Sequence, residues 1–269
     1  MVVYAGQGDP EKTLALLWRV PVDEGARTAP GPKPGLTVDA IVDAAIAVAD
    51  AGTMDGLSMR AVGERLGRTA MSLYTYVPSK RELVDLMYDQ AHAETPAEHD
   101  LSGGWRAAAE SWAHGLRALY LRHPWLLQVS HARPVLGPHE QGVLEAVLRI
   151  LDAAGLEPVA VRPAVGSLFS LVRGSAQAAA EARSAAGTTG TPDREWWTLR
   201  AGLLHRLVPD FADRFPLSAR LSAQAPPSAG PEPRWEREAR EAFTGGLAIL
   251  LDGIESRTRP PGGSGTVIL

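Results

Sequence analysis

The chain has 269 residues, of which 45% are hydrophobic and 22% charged, and no cysteine, so it can bury a sizeable core without covalent staples. The lack of cysteine excludes disulfides, thiolate metal sites and thiol nucleophiles, and no apolar run approaches the roughly 18 residues of a membrane span. The net charge of −4 hides a basic island: between Ser58 and Arg81 stand Arg60, Arg65, Arg68, Lys80 and Arg81 against the single acid Glu64, which suits a small phosphate-contacting face on an otherwise acidic protein.

In chain order, residues 1–35 read as a flexible arm, with prolines at 21, 30, 32 and 34 and glycines at 25, 31 and 35. Arg27 and Lys33 on this arm fit either a minor-groove contact or a charged leader with no such role. The opening MVVYAGQGDP has no basic region and no apolar stretch of signal-sequence length precedes Pro30, so a cytoplasmic location is expected.

A first domain is expected over residues 36–95. Val38, Ile41, Ala45, Val48 and Ala49 recur at helical spacing between a Thr37 cap and Gly52. Ser58 caps a second helix that ends at Gly67, with Met59, Val62 and Leu66 inward. Thr69 caps a third, read through to Val77, where Pro78 stops it. Ser79 and Glu82 form a capping box at the head of a fourth helix through Leu83, Leu86 and Met87. Gly63, inside the second helix, reads as a close-packing position, because an interior glycine costs about 1 kcal/mol relative to alanine.

Two short helices joined at Gly67-Arg68 form a helix-turn-helix pattern, whose second helix can enter a major groove about 12 Å wide. Leu73 and Val77 face inward, which leaves Ala70, Met71, Tyr74 and Thr75 toward solvent; an outward methionine and tyrosine imply a partner surface. Tyr74 and Tyr76 offer hydroxyls to phosphate oxygens, and Lys80 adds a cation at a helix N-terminus. Ser58, Arg60, Arg68, Thr69 and Ser72 complete the candidate DNA-binding surface. A plain three-helix core with solvated basic residues is the other reading of the pattern taken alone.

A second domain is expected over residues 100–257, after the hinge ETPAEHDLSGG. Trp105, Ala109, Trp112, Leu116, Leu119 and Tyr120 mark one helix, Trp125 to Val129 a short one, and Val143, Val147, Leu148 and Leu151 another that closes at Gly155. Residues 158–183 form a helix rich in small residues, and Phe243, Leu247, Leu250, Leu251 and Ile254 mark a last helix from Glu236 to Glu255. Interruptions are read at residues 184–193 and 222–233, and residues 258–269 read as a disordered tail. Strand-like alternation is absent, so the fold class is all-α. The small-residue helix and the last one are candidates for a dimer contact, or else internal core. Trp105, Trp112, Leu116, Trp125, Leu126 and Phe169 are candidates for the lining of an apolar ligand pocket, with Arg122, His123 and Arg133 as polar contacts, or else plain core.

No dinucleotide-binding or P-loop glycine pattern, no HExxH and no GxSxG is found, and the seven histidines lack the spacing of a helical zinc pair. His123 and His131 flank the Trp125 segment and fit either an approach to one another or, more commonly, capping or surface roles. No enzyme activity, metal or cofactor is expected.

The stretch from Leu36 to Met87 resembles the amino-terminal domain of the TetR family of bacterial transcriptional regulators. The resemblance rests on Asp50-Ala51-Gly52, Gly56-Leu57-Ser58, Leu66-Gly67, Leu73-Tyr74-x-Tyr76-Val77 and Ser79-Lys80-Arg81-Glu82-Leu83. It implies an N-terminal helix-turn-helix domain followed by a helical bundle for dimerisation and ligand binding. It also implies that Tyr74 meets the DNA backbone, that Lys80 contacts a phosphate, and that Thr69, Ala70, Met71 and Thr75 face base edges. Ala70 and Met71 offer no hydrogen bond to a base, so readout leans on thymine methyls and on Arg68 at a guanine. The expected partners are a double-stranded operator, a second copy of the chain and a small apolar effector. An all-α ligand-binding or scaffolding protein that no longer binds DNA is the alternative.

Overall fold

The computed structural model describes residues 3–21, 35–130, 132–224 and 234–258. Arg27, Lys33, His131 and the tail beyond residue 258 lie outside the described residues. Among those described, twelve α-helices stand against two strands of two residues each, so the protein is all-α. Two compact units form, one of residues 1–173 with 247–269 and one of residues 174–246.

The first unit holds the elements read from the first periodic segments. Helix α2 (Val38–Ala51) starts where Thr37 Oγ1 accepts from Ala40 N at 3.1 Å. Helix α3 (Met59–Leu66) starts at Ser58, whose Oγ accepts from Ala61 N at 3.1 Å, and ends at Gly67 with φ +64°, a left-handed conformation that glycine adopts without Cβ strain. Helix α4 covers only Ala70–Leu73. The expected run to Val77 is cut short because Tyr76 N and Val77 N both donate to Leu73 O at 2.9 Å, which closes a turn before Pro78 bars Val77 from helical backbone. Ile41, Leu57, Leu73, Leu83 and Met87 are fully buried, each contributing about 1.5–3 kcal/mol of transfer free energy.

Helix α5 (Lys80–His92) starts at Ser79, whose Oγ accepts from Arg81 N at 3.0 Å. The reciprocal half of the expected capping box is redirected. Ser79 Oγ donates to Glu82, and the other Glu82 oxygen accepts from Asp9 N at 3.0 Å. A segment read as flexible arm is therefore ordered. Strand β1 (Val3–Tyr4) and helix α1 (Pro10–Trp18, capped by Asp9) precede α2, and Arg19 pairs with Asp39. Buried Ala15 and Leu17 are the apolar contribution of α1 to the core. A nine-residue helix is too short to stand alone, and tertiary partners far along the chain supply what local sequence lacks.

Helix α6 (Trp105–Arg122) buries Ala109, Trp112, Leu116, Leu119 and Tyr120 as its periodicity requires, while Trp105 is half-buried. The short helix expected at Trp125 is a 3-10 turn (Pro124–Gln128) that leads into β2 (Val129–Ser130), paired in parallel with β1. Helix α7 (Pro138–Ala153) follows, then α8 (Pro158–Thr189) and, at the end of the chain, α12 (Arg234–Glu255). The expected interruption at residues 184–193 is confined to its end: α8 continues to Thr189 and stops at Gly190, φ +70°.

The second unit contains three helices that lack a readable apolar stripe, α9 (Asp193–Leu207), α10 (Phe211–Arg214) and α11 (Pro216–Gln224), none of which buries a residue. Within this unit Arg234 lies over the Trp197 ring, 4.5 Å from its centroid, and Ser175 Oγ donates to Ala239 O at 3.2 Å.

Asp50, near the end of α2, accepts from Trp125 Nε1 at 2.9 Å and lies 2.7 Å from His123 Nδ1. Asp50→Ala leaves a buried indole N–H unpaired, and such a group costs about 1–3 kcal/mol. Urea denaturation is expected to report a loss of that size, with Asp50→Asn losing less.

Candidate nucleic-acid interface and internal cavity

The candidate reading surface is built on one close backbone approach. A Cβ at Gly63 would lie 2.7 Å from Arg68 O and 3.3 Å from Ala70 N, so only glycine lets α3 carry the start of α4 at this distance. Thr69 Oγ1 accepts from Ser72 N at 3.3 Å, and Ser72 Oγ donates to Thr69 O at 2.7 Å. Ser72 therefore stiffens the turn and is half-buried. Leu73 and Val77 are sealed at 0% exposure, whereas Met71 is 75% and Tyr74 42% exposed. Thr69 and Thr75 are exposed beside them, and Ala70 and Tyr76 are half-buried.

Cations frame this surface. Lys80, in the first turn of α5, Arg65 and Arg68 are exposed, and among the described residues no carboxylate pairs with them. Arg60 is partly neutralised: its Nε donates to Glu64 Oε1 at 2.8 Å, an exposed i,i+4 pair that solvent screens and that is readily exchanged for a phosphate. The hydroxyl oxygen of Ser58 accepts as the cap of α3, with its own hydrogen still available to donate.

A half-open cavity of about 340 Å3 lies among α5, α6, α7 and the first part of α8. Its apolar walls are Pro134, Val143, Leu144, Val165 and Phe169, and its polar groups include Tyr88, His92, Tyr120, Glu140 and Arg173. Of the six pocket residues read from the sequence, only Phe169 lines it. Trp112 stands behind, edge-on to Phe169 with centroids 5.1 Å apart, and donates Nε1–H to Val143 O at 3.1 Å. Leu116, Trp125 and Leu126 are core, and Trp105 lies outside the lining. Arg122 and His123 are bound to Glu94, not to the cavity, and Arg133 is exposed. The large rings fill the bundle, and the space is left where smaller residues and phenols meet. Tyr88 and His92 sit one helical turn apart on α5, a stripe the sequence reading assigned no role.

Arg173 Nη2 donates to Leu127 O at 2.7 Å and to Val129 O at 2.8 Å, so this cation is held by carbonyls of the 3-10 turn and of β2. Burial holds His92 down to about 4, so the ring is neutral near pH 7. Its Nδ1 lies 2.7 Å from Tyr88 O; a carbonyl only accepts, so Nδ1 carries the hydrogen and Nε2 presents a lone pair. Burial pushes the Glu140 carboxyl up, against the donation from Leu136 N at 2.7 Å.

The family model described as tetracyclin repressor-like, C-terminal domain matches residues 95–258, which is more than half of the chain. A second, described as bacterial regulatory proteins, tetR family, matches residues 41–87.

The chain belongs to the TetR family.

It is 40% identical over 252 residues to the HTH-type transcriptional repressor DrrR1 of Streptomyces coeruleorubidus, across 93% of this chain and 87% of that one. An HTH-type transcriptional regulator of Saccharopolyspora erythraea is 34% identical over 146 residues, across 54% of this chain and 62% of that relative. Among solved structures, apo ActR of Streptomyces coelicolor superimposes with a TM-score of 0.62 at 26% identity, covering 84% of this chain and 98% of that one. ActR in complex with actinorhodin gives 0.64 at 26% identity, covering 82% and 96%. As a TetR-family protein, the chain is a DNA-binding transcriptional regulator with an N-terminal helix-turn-helix. Among the described residues no helix is long and apolar enough to cross a membrane.

Two expectations follow. Gly63→Ala forces α3 and α4 apart, and overpacking of this kind costs about 1–3 kcal/mol; duplex affinity is expected to fall by about tenfold or more, while Gly67→Ala, with open space at its Cβ, pays only for its left-handed backbone. His92 has the opposite signature to a surface histidine. Its folded value lies below the ordinary 6.5, so the unfolded chain binds the extra proton and stability is lost as pH falls from 6.5 toward 4. That loss is about 2–3 kcal/mol. Asp85, which burial pushes up to about 6, gains stability on protonation and opposes the trend. The difference in denaturation midpoint between His92→Gln and the parent chain, measured across pH 4–7, isolates the histidine and is expected to shift in favour of the variant on acidification.

Proposed function

We propose that this chain is a ligand-responsive repressor that binds a palindromic operator as a homodimer and releases it when a small, largely apolar effector enters the cavity among α5, α6, α7 and α8. The observation that carries the reading is the division of one short segment. Leu73 and Val77 anchor it inside, while Met71 and Tyr74 stand in solvent beside Arg65, Arg68 and Lys80, which pair with no carboxylate among the described residues. Apolar groups exposed among cations suit a groove lined by phosphates and thymine methyls.

Tyr74 and Lys80 are assigned to phosphates, with Tyr76, Ser58 and Arg60 beside them. Thr69, Ala70, Met71 and Thr75 are assigned to base edges, Arg68 to a guanine, and Ser72 to stiffening the turn. The name of the DrrR1 relative, a repressor, supports the sign of regulation, and the complex of ActR with actinorhodin supports a response to a small molecule. Helix α5 gives the two sites a common element, since Lys80 stands at one end and Tyr88 and His92 line the cavity at the other. An effector acts only through a difference in its affinity for the DNA-compatible and incompatible geometries.

Dimerisation is supported by the second unit. Leu199, Leu207, Leu217 and Leu221 on α9 and α11 are at least 60% exposed, and an open groove is lined by Ala178, Ala182, Ala185, Trp235, Ala239 and Ala242. A single chain leaves this apolar surface uncovered. Two heads on one twofold axis would meet half-sites about 34–36 Å apart. The protein acts by binding and not by turnover, on DNA in the cytoplasm.

Selection of bound duplexes from a random pool tests symmetry, spacing and DNA binding together and is expected to return an inverted repeat. On the selected duplex and a scrambled one, Lys80→Ala is expected to weaken binding alike and to lower the salt slope by about 1 per head. Thr69→Ala or Met71→Ala is expected to change preference between the two duplexes. Uniform effects from all three changes, or an association insensitive to salt, would overturn the proposal.

A further inference from the structure

The opening residues do something that their composition does not announce. Gly6 N donates to Asp85 Oδ1 at 2.9 Å and Asp9 N donates to Glu82 Oε1 at 3.0 Å, so the stretch Ala5-Gly6-Gln7-Gly8-Asp9 is fastened to the first half of α5. Both glycines are required. Gly6 has φ +67°, and a Cβ on Gly8 would collide with Glu82 Oε1 and lie 3.0 Å from its Cγ. Glu82 is buried and held by Ser79, so it has no room to swing aside.

The same segment is fastened at its other contacts to the cavity-bearing part of the unit. Val3 and Tyr4 pair with Val129 and Ser130 of β2, the strand whose carbonyl holds Arg173 in the cavity wall. Trp18 Nε1 donates to Leu136 O at 2.9 Å. Leu136 adopts φ +63°, a left-handed backbone rare for leucine, and its own N–H donates to Glu140 Oε2, another cavity group. Arg19 then pairs with Asp39 on α2. Residues 3–19 thus touch α2, the DNA-proximal end of α5, and the segments that frame the cavity.

We infer that residues 3–19 are an intramolecular brace that sets the orientation of the DNA-reading head against the cavity-bearing helices, with Glu82 and Asp85 as its positioning residues. This inference rests on the operator and effector reading above, because a fixed head orientation has a functional consequence only where two heads must match one duplex. The Leu136 link gives cavity occupancy a route to the brace: a ligand that draws the Glu140 carboxylate away from Leu136 N removes one of the two bonds that hold the strained residue against Trp18.

The test uses the full-length chain, the selected operator, and the same operator with one base pair inserted between its half-sites. The parent chain is expected to prefer the first by about tenfold or more. Gly8→Ala and Asp85→Ala are expected to reduce that preference to about threefold or less with unchanged helical content. Asp85→Asn, which retains an acceptor for Gly6 N, is expected to keep it. Unchanged preference in folded Gly8→Ala and Asp85→Ala overturns the brace, as does equal loss in Asp85→Ala and Asp85→Asn. Hydrogen exchange on the DNA-free parent chain supplies an independent arm. Protected amides at Gly6 and Asp9 are expected, and exchange there at the rate of free peptide overturns the brace even if no duplex binds, an outcome that would sink the operator reading separately.

Discussion

A stripe of buried carboxylates on α5 organises the first unit. Glu82, Asp85 and Asp89 follow one another at spacings of three and four, each at 4% exposure or less, and they accept backbone N–H groups from two distant parts of the chain, the amino-terminal segment and the start of α7. Glu82 takes Asp9, Asp85 takes Gly6, and Asp89 takes His139 at 3.0 Å and Glu140 at 2.9 Å at the start of α7. Isolated ionised carboxylates would be expelled from such sites, and these are retained by the amide donors. The balance differs along the stripe. At Glu82, burial works against ionisation, but hydrogen bonds from Ser79, its own amide and Asp9 outweigh it and hold the group below its ordinary range. At Asp85, with one bonded oxygen and Oδ2 unpartnered, burial dominates.

This arrangement makes α5 a shared wall. Its first turn presents Lys80 to solvent next to the candidate reading surface, its middle receives the amino-terminal segment, and its end offers Tyr88 and His92 to the cavity. The reading surface depends on a second constraint, the missing Cβ of Gly63, which lets α3 and the start of α4 approach through backbone alone. Met71 and Tyr74 point outward because Leu73 and Val77, on the other side of the same turn, have nowhere else to go than the core.

The helix-turn-helix was legible because its determinants are local. Caps at Thr37, Ser58, Thr69 and Ser79, the left-handed Gly67 and the inward Met59, Val62 and Leu73 act within a few residues of one another, and each stands where its spacing required. The cavity was not legible. Tryptophans at helical spacing fix which face is buried and do not say whether that face meets another ring or an open space; Trp112 meets Phe169, and Trp125 meets Asp50. The cavity-lining pair Tyr88 and His92 carries a weak signal, two polar aromatic residues one turn apart in a buried stripe, which an apolar-periodicity reading passes over.

By itself, then, the sequence determined the all-α class, the two reading helices and the outward placement of Met71 and Tyr74, since caps, glycines and apolar spacing act over a turn or two of backbone. Tertiary structure alone decided that Glu82, besides accepting from Ser79, takes the amide of Asp9, that residues 3–19 pack on the first unit, and that the cavity opens beside Tyr88 and not beside Trp125. Each of these is a choice between partners separated by 30 or more positions in the chain, and local propensity carries no information about which distant amide or side chain will arrive.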